Sequence, residues 1–220
     1  MTWFSVMVNG LSMSISHLNN LFKLFLLVVL ALSVRCSANH AVNNSCVEIP
    51  VADFRPGDIV FRLGRTIQSN AIASQGAGGY SHIGILVEVD SVLCVLHIEP
   101  SRQSSEKIKT EVLPEFFSSN QAVAGCVMRY SAISEPSKEV LADYAKHLLD
   151  SDIYFDHDYL LSDSSRMYCT ELVERIYNRA GISLSQEKRV RLPLAKEPVI
   201  LPSAIYENDS LVMIWNYRFD

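Results

Sequence analysis

Hydrophobic positions along the chain follow two periods, one of two residues and one near 3.6. After the turn signal Pro56-Gly57-Asp58, the run Ile59-Val60-Phe61 predicts a short strand. Residues 65–75 predict one short helix, and Gly76, Gly78 and Gly79 a flexible loop. His82 to Val89 is rich in β-branched residues and predicts a buried strand. Asp90-Ser91 turns the chain and Val92 to Glu99 returns, so the two runs predict an antiparallel hairpin. Residues 110–119 suggest a short helix or turn around Pro114, and Ala122 to Tyr130 another strand. Ser134 and Pro136 open a helix to about Leu149, because Val140, Leu141, Tyr144 and Leu148 recur at helical spacing. A polar loop over 150–167 leads to a second helix, Cys169 to Ala180, whose apolar face is Leu172, Val173, Ile176 and Ala180. Gly181 is placed to stop it. Pro193, Pro198 and Pro202 predict a broken arm, and Leu211 to Tyr217 a last strand. No internal repeat or linker divides this order, which predicts one α+β domain.

The first 38 residues have a different composition. They hold no Asp or Glu, and Lys23 precedes the apolar run Leu24–Val34, in which Ser33 is the one polar residue. That run suits the core of a signal peptide and falls short of the ~20 residues a membrane-spanning helix needs. Small residues at Cys36 and Ala38 fit cleavage after Ala38, with an uncleaved membrane anchor as the alternative. The expectation is a signal peptide over 1–38, a single domain over 39–220, and an exported protein, periplasmic or secreted.

Composition narrows the function. With 49% hydrophobic and 20% charged residues, the 220-residue chain is of globular type. A net charge of −5 argues against a nucleic-acid surface, which needs clustered cations. Five cysteines are too few for a disulfide scaffold. An exported compartment leaves open a disulfide among Cys46, Cys94 and Cys126. Cys94 and Cys126 lie in apolar runs, where buried free thiols are the simpler expectation.

The readable chemistry is a cysteine at a helix start and a histidine at a strand start. Cys169 opens the helix of Met167-Tyr168-Cys169-Thr170-Glu171-Leu172-Val173. Free N–H groups and the helix dipole there favour a thiolate and a developing oxyanion. A thiolate needs a proton acceptor, and His82 in Tyr80-Ser81-His82-Ile83-Gly84 is the candidate. Gly84 points its missing side chain to the same face and leaves space beside the imidazole. The hairpin brings the end of the return strand back to His82, so Glu99 is expected to hold the ring, with His97 on the same face as its competitor. Asp156-His157-Asp158 has metal-ligand types, but adjacent residues do not easily converge on one ion. No metal or cofactor is expected.

Three blocks carry a resemblance. Arg55-Pro56-Gly57-Asp58-Ile59-Val60-Phe61, then Tyr80-Ser81-His82-Ile83-Gly84, then Tyr168-Cys169-Thr170-Glu171-Leu172-Val173 resemble the YaeF/YiiX-type permuted papain-like hydrolases, a branch of the NlpC-type cysteine peptidases. The matched region spans residues 55 to 181. The resemblance implies a circularly permuted papain-like core, an antiparallel sheet packed with helices, in which the cysteine helix follows the sheet. It implies Cys169 as nucleophile, His82 as general base and Glu99 as the acidic third member. Tyr168 and Tyr80 are the candidates for shaping the oxyanion or substrate site.

The function this implies is an exported cysteine hydrolase, amidase- or peptidase-like, working through an acyl-enzyme. Two alternatives stand beside it. One is a lipid acyltransferase or (lyso)phospholipase on the same Cys–His chemistry. The other is a non-catalytic cell-envelope binding module. The expected partner is a small peptide-, amide- or lipid-linked substrate from the cell envelope, without nucleic acid, with peripheral membrane contact as an option.

Overall fold

The computed structural model describes residues 47–101, 105–192 and 195–219. The expected signal peptide over 1–38, and Cys46, lie outside them. Among the described residues Cys94 and Cys126 are free and buried, and Cys169 is free and half-buried. No described helix is long and apolar enough to cross a membrane.

Six strands form one antiparallel sheet. They are β1 (Ile59–Gly64), β2 (His82–Val89), β3 (Val92–His97), β4 (Lys109–Val112), β5 (Ala122–Tyr130) and, at the C-terminal end, Leu211–Arg218. The spatial order is β4-β3-β2-β1-β5 followed by the C-terminal strand. The first turn is built around Asp58, whose carboxylate accepts the Arg55 N–H at 2.8 Å and Arg129 Nε at 2.7 Å. Asp90 and Ser91 both have positive φ, 49° and 64°. A two-residue hairpin turn of that form matches the twist of its strands. It pairs Val89 with Val92 and sets the register that places Ile85 opposite Leu96.

Two features differ from expectation. The return strand ends at His97, two residues before Glu99, and the segment 109–112 is a strand. Lys-Thr-Glu-Val is short and mostly polar, which suits an edge strand and hides it from a hydrophobicity pattern. Pro114 lies in the first turn of the helix that follows, Leu113–Phe116 (α2; α1 is Ile67–Ala73). Pro202 likewise begins a helix, Pro202–Tyr206, instead of breaking an arm.

The sheet separates two cores. Ile59, Phe61, Ile83, Ile85, Leu96 and Cys126 face one side, under α3 (Glu135–Leu149) and α4 (Cys169–Asn178). Val60, Leu86, Val95 and Val127 face the other, against Phe54, Leu113, Phe116 and Phe117. Both faces are covered, so β1 and β2 read as nearly continuous apolar runs.

Helix α4 is fixed at both ends. Its buried face is Leu172, Val173, Ile176 and Tyr177, and the Tyr177 hydroxyl donates to the Gly57 carbonyl at 2.5 Å. Gly181, at φ 75°, turns the chain, and the Ile182 N–H returns to the Tyr177 carbonyl at 3.1 Å. At the other end the loop over 150–167 contains two short parallel strands, β6 (Tyr154–Phe155) and β7 (Arg166–Met167). The second of them delivers the chain to Cys169. The C-terminal strand is β8, and Pro202–Tyr206 is α5.

Candidate active site

Cys169 is the first residue of α4, and α4 packs chiefly on β2. Its N-cap, Tyr168, is extended and offers no side-chain cap. Glu171, at the third helical position, lies near the Tyr168 backbone N–H, where a capping box would bond, but its Oε2 has no well-aligned hydrogen-bond partner. The Cys169 thiol meets the backbone N–H groups of Ile83, Thr170 and Cys169 itself, and lies 3.9 Å from the Thr170 hydroxyl. Ile83 follows His82 directly, so the helix start and the strand start meet at the thiol. Burial pushes the thiol pKa up, against the lowering effect of the Thr170 hydroxyl and these N–H groups. The helix terminus therefore does not make Cys169 a resting thiolate.

His82 is the first residue of β2, opposite Arg62 of β1, and is 9% exposed. Its Nε2 lies 2.9 Å from Nδ1 of His97. No hydrogen bond joins His82 to Cys169 among the described residues, and His82 Nδ1 is left unclaimed. Burial lowers the His82 pKa well below its ordinary value, and the charges of Arg62, His97 and Lys109 lower it further. The imidazole is neutral at physiological pH and can accept a proton.

The residue bonded to His82 is His97, and Glu99 is engaged elsewhere. Arg62 Nη2 donates to Glu99 Oε2 at 2.5 Å, and Lys109 Nζ to Oε1 at 2.8 Å. Burial raises the Glu99 pKa, but the Arg62 charge and the Lys109 hydrogen bond outweigh it and hold the carboxyl down. With β3 ending at His97, the acid leans to these two cations.

Behind His97 stands Glu111, on β4. His97 Nε2 is 3.3 Å from Glu111 Oε2, and neither atom has a well-aligned hydrogen-bond partner. Gln121 Nε2 donates to the other Glu111 oxygen at 2.7 Å. Arg62 Nη1 lies 3.5 Å from Glu111 and hydrogen-bonds the Phe116 carbonyl and Gln121. Phe116 closes the cluster, with its ring 5.8 Å from His82 and 5.4 Å from His97.

The two tyrosines sit in different surroundings. The Tyr168 hydroxyl accepts the Ile200 N–H at 2.9 Å and its side chain is buried, so it ties the helix start to the following arm. Tyr80 packs between Phe61 and Tyr206, with its hydroxyl toward Cys126. It is a core residue and does not line the thiol. Tyr159 also lies by the site: its ring meets Tyr168 at a tilt, centroids 5.3 Å apart, and burial and then the Cys169 charge raise its pKa.

Two sets of residues have metal-ligand types. Asp156 caps its own loop, His157 contacts Glu106 at 2.8 Å and Asp158 contacts Lys196 at 3.1 Å, so the three diverge. Ligand atoms of His82, His97 and Glu99 do lie within 4.8 Å of one another. The two imidazole nitrogens already bond each other, and both Glu99 oxygens are held by cations. A divalent ion there would have to displace those contacts beside Arg62 and Lys109. The trio does not fit a resident metal.

Residues 53–214 match the family model described as the permuted papain-like amidase enzymes, YaeF/YiiX, C92 family. A curated relative, the uncharacterized protein YiiX of Escherichia coli strain K12, is 24% identical over 192 residues, covering 76% of this chain and 90% of that one. A crystal structure described as the metalloprotein yiiX of Escherichia coli O157:H7 superposes with a TM-score of 0.61 at 23% identity, over 74% of this chain and 98% of that one.

Proposed function

Since the chain belongs to the permuted papain-like amidases of the YaeF/YiiX, C92 family, we propose that it is an exported cysteine hydrolase that cleaves amide bonds through Cys169 and His82. The observation that carries this reading is the thiol seated against the Ile83 N–H, one residue from an imidazole whose Nδ1 is unclaimed. His82 takes the Sγ proton as the sulfur attacks the amide carbonyl carbon. N–H groups at the start of α4 face the developing oxyanion. The C–N bond breaks as the imidazolium returns the proton to the leaving amine, and a thioester remains. Water, deprotonated by His82, then releases the acid and restores the thiol.

Both groups begin neutral, so the proton moves with the attack and no standing ion pair is needed. In this reading His97 is the third member, in place of Glu99. The neighbour described as a metalloprotein prompts no metal step here, because His82, His97 and Glu99 are committed to other partners. Export rests on the leader pattern of residues 1–38.

The test is acyl-enzyme trapping. The protein is incubated with panels of N-acyl amino-acid amides, peptide anilides and lipid-linked amides, acid-quenched and mapped by mass. An acyl mass on the Cys169 peptide, absent in Cys169→Ala together with turnover, supports the reading. Hydrolysis that persists in Cys169→Ala sinks it.

A further inference from the structure

We infer that Glu111 is a positioning residue for the Cys169–His82 pair, acting through His97 to keep the proton off His82 Nδ1. The inference rests on the proposed roles of Cys169 and His82. His97 is fully buried, with Nδ1 2.9 Å from His82 Nε2 and Nε2 3.3 Å from Glu111 Oε2. Glu111 is an ionised carboxylate and accepts only. Burial raises its pKa, but the close His97 contact, the Gln121 hydrogen bond and the His97 and Arg62 charges outweigh that, to about 2. His97 Nε2 therefore carries the hydrogen, and neutral His97 then offers a lone pair at Nδ1. His82 Nε2 must donate to it, which leaves His82 Nδ1 as a lone pair. Each tautomer follows from the one before, beginning at Glu111.

Without the carboxylate the chain loses its direction. His97 can then carry its hydrogen on Nδ1 and donate to His82 Nε2, which moves the His82 hydrogen to Nδ1. An imidazole in that form cannot take a proton there. Glu99 acts on His97 through its charge but accepts no hydrogen bond from either ring, because its two oxygens are held by Arg62 and Lys109. The titratable and charged groups around His82 are thus Arg62 from β1, His97 from β3, Glu99 beyond its end and Lys109 from β4, with Glu111 of β4 behind His97.

The experiment uses intact protein labelled with 15N-histidine, together with the rate of iodoacetamide labelling of Cys169 between pH 5 and 10. Wild type is expected to hold both His82 and His97 with hydrogen on Nε2. Glu111→Gln is expected to shift His82 toward hydrogen on Nδ1 and to slow labelling at neutral pH on the order of tenfold. Glu111→Asp should recover part of that rate, and Glu99→Gln should change it less than about twofold. Unchanged tautomers and rate in Glu111→Gln, or an equal loss in Glu99→Gln, overturn the role of Glu111. If Glu111→Gln does not fold, the wild-type tautomers decide: hydrogen on His82 Nδ1 overturns it. Labelling that is indifferent to His82→Ala overturns the underlying Cys169–His82 pairing instead.

Discussion

Gly84 stands directly against His97: a β-carbon built on Gly84 would come within 3.2 Å of His97 Cβ, 3.0 Å of the Leu96 carbonyl and 2.5 Å of a Val95 γ-methyl. The bare backbone lets β3 close on β2, and that closeness brings the two imidazoles into contact. Gly84→Ala should cost about 1–3 kcal/mol by overpacking and push His97 away from His82. Urea unfolding gives the first number. Slower Cys169 labelling in the fraction that remains folded gives the second. Wild-type stability and wild-type labelling together would show that β3 yields without moving His97.

Protonation of the pair sets the pH dependence of the thiol. Burial raises the Cys169 pKa and lowers that of His82, so folding favours the neutral form of both. Thiolate appears only as pH rises above the ordinary thiol range. Labelling of Cys169 by iodoacetamide should therefore climb continuously through that range, with no plateau at acidic pH. A thiolate–imidazolium pair would give an acidic plateau, and finding one would refute the neutral ground state. Cys94 and Cys126 should lag behind Cys169 throughout, because both are buried in the sheet.

The sequence made much of this arrangement legible, and the reasons are local. His82–Val89 and Ala122–Tyr130 were readable to the residue because both faces of those strands are buried. Cys169 and Gly181 marked the ends of α4 through helix-terminus chemistry. The polar partners were not readable in the same way. A hairpin register puts Glu99 near His82, but it does not reveal that Arg62 and Lys109 claim both of its oxygens. Those claims come from neighbouring strands, one of them the edge strand whose polar residues gave no periodic signal. Glu111 belongs to that strand and was hidden with it. Tyr80 was adjacent to His82 in sequence but faces Cys126 in the core, a consequence of strand entry that no short motif records.

The loop before Cys169 is held by one buried acid. Asp156 is 2% exposed and accepts the N–H of Asp158 at 2.8 Å and the N–H of Leu160. These bonds hold Tyr159 at φ 55°, a left-handed conformation uncommon for a side chain of its size. Tyr159 in turn packs on Tyr168, the N-cap of α4. Asp156→Ala should release the turn, cost about 1–2 kcal/mol and make Cys169 more accessible to bulky alkylating reagents. A maleimide series of increasing size reads this directly. A size dependence identical to wild type would mean that Tyr159 does not cover the thiol.

Glu171 lies in the first turn of the helix that begins with Cys169, and its side chain carries a stability cost that depends on pH. Burial raises its pKa to about 7, against the Arg175 charge and hydrogen bond and the Tyr168 N–H, while the Asp156 charge raises it further. The folded state therefore keeps a proton that the unfolded chain has already released near the ordinary value of 4.5. Between those values the folded state binds more protons, so this residue's contribution to stability falls as pH rises through the window and is flat above it. The slope approaches about 1.4 kcal/mol per pH unit within the window. Glu171→Gln is neutral at every pH and should lose that slope, gaining on wild type from pH 5 to about 7 in denaturant midpoints and holding that gain above. It also removes a carboxylate from the first turn of α4, where a negative charge opposes the Cys169 thiolate, so labelling above neutral pH should be faster in the variant. Parallel stability curves for the two proteins would show that Glu171 ionises at its ordinary pKa, with Arg175 offsetting its burial in full.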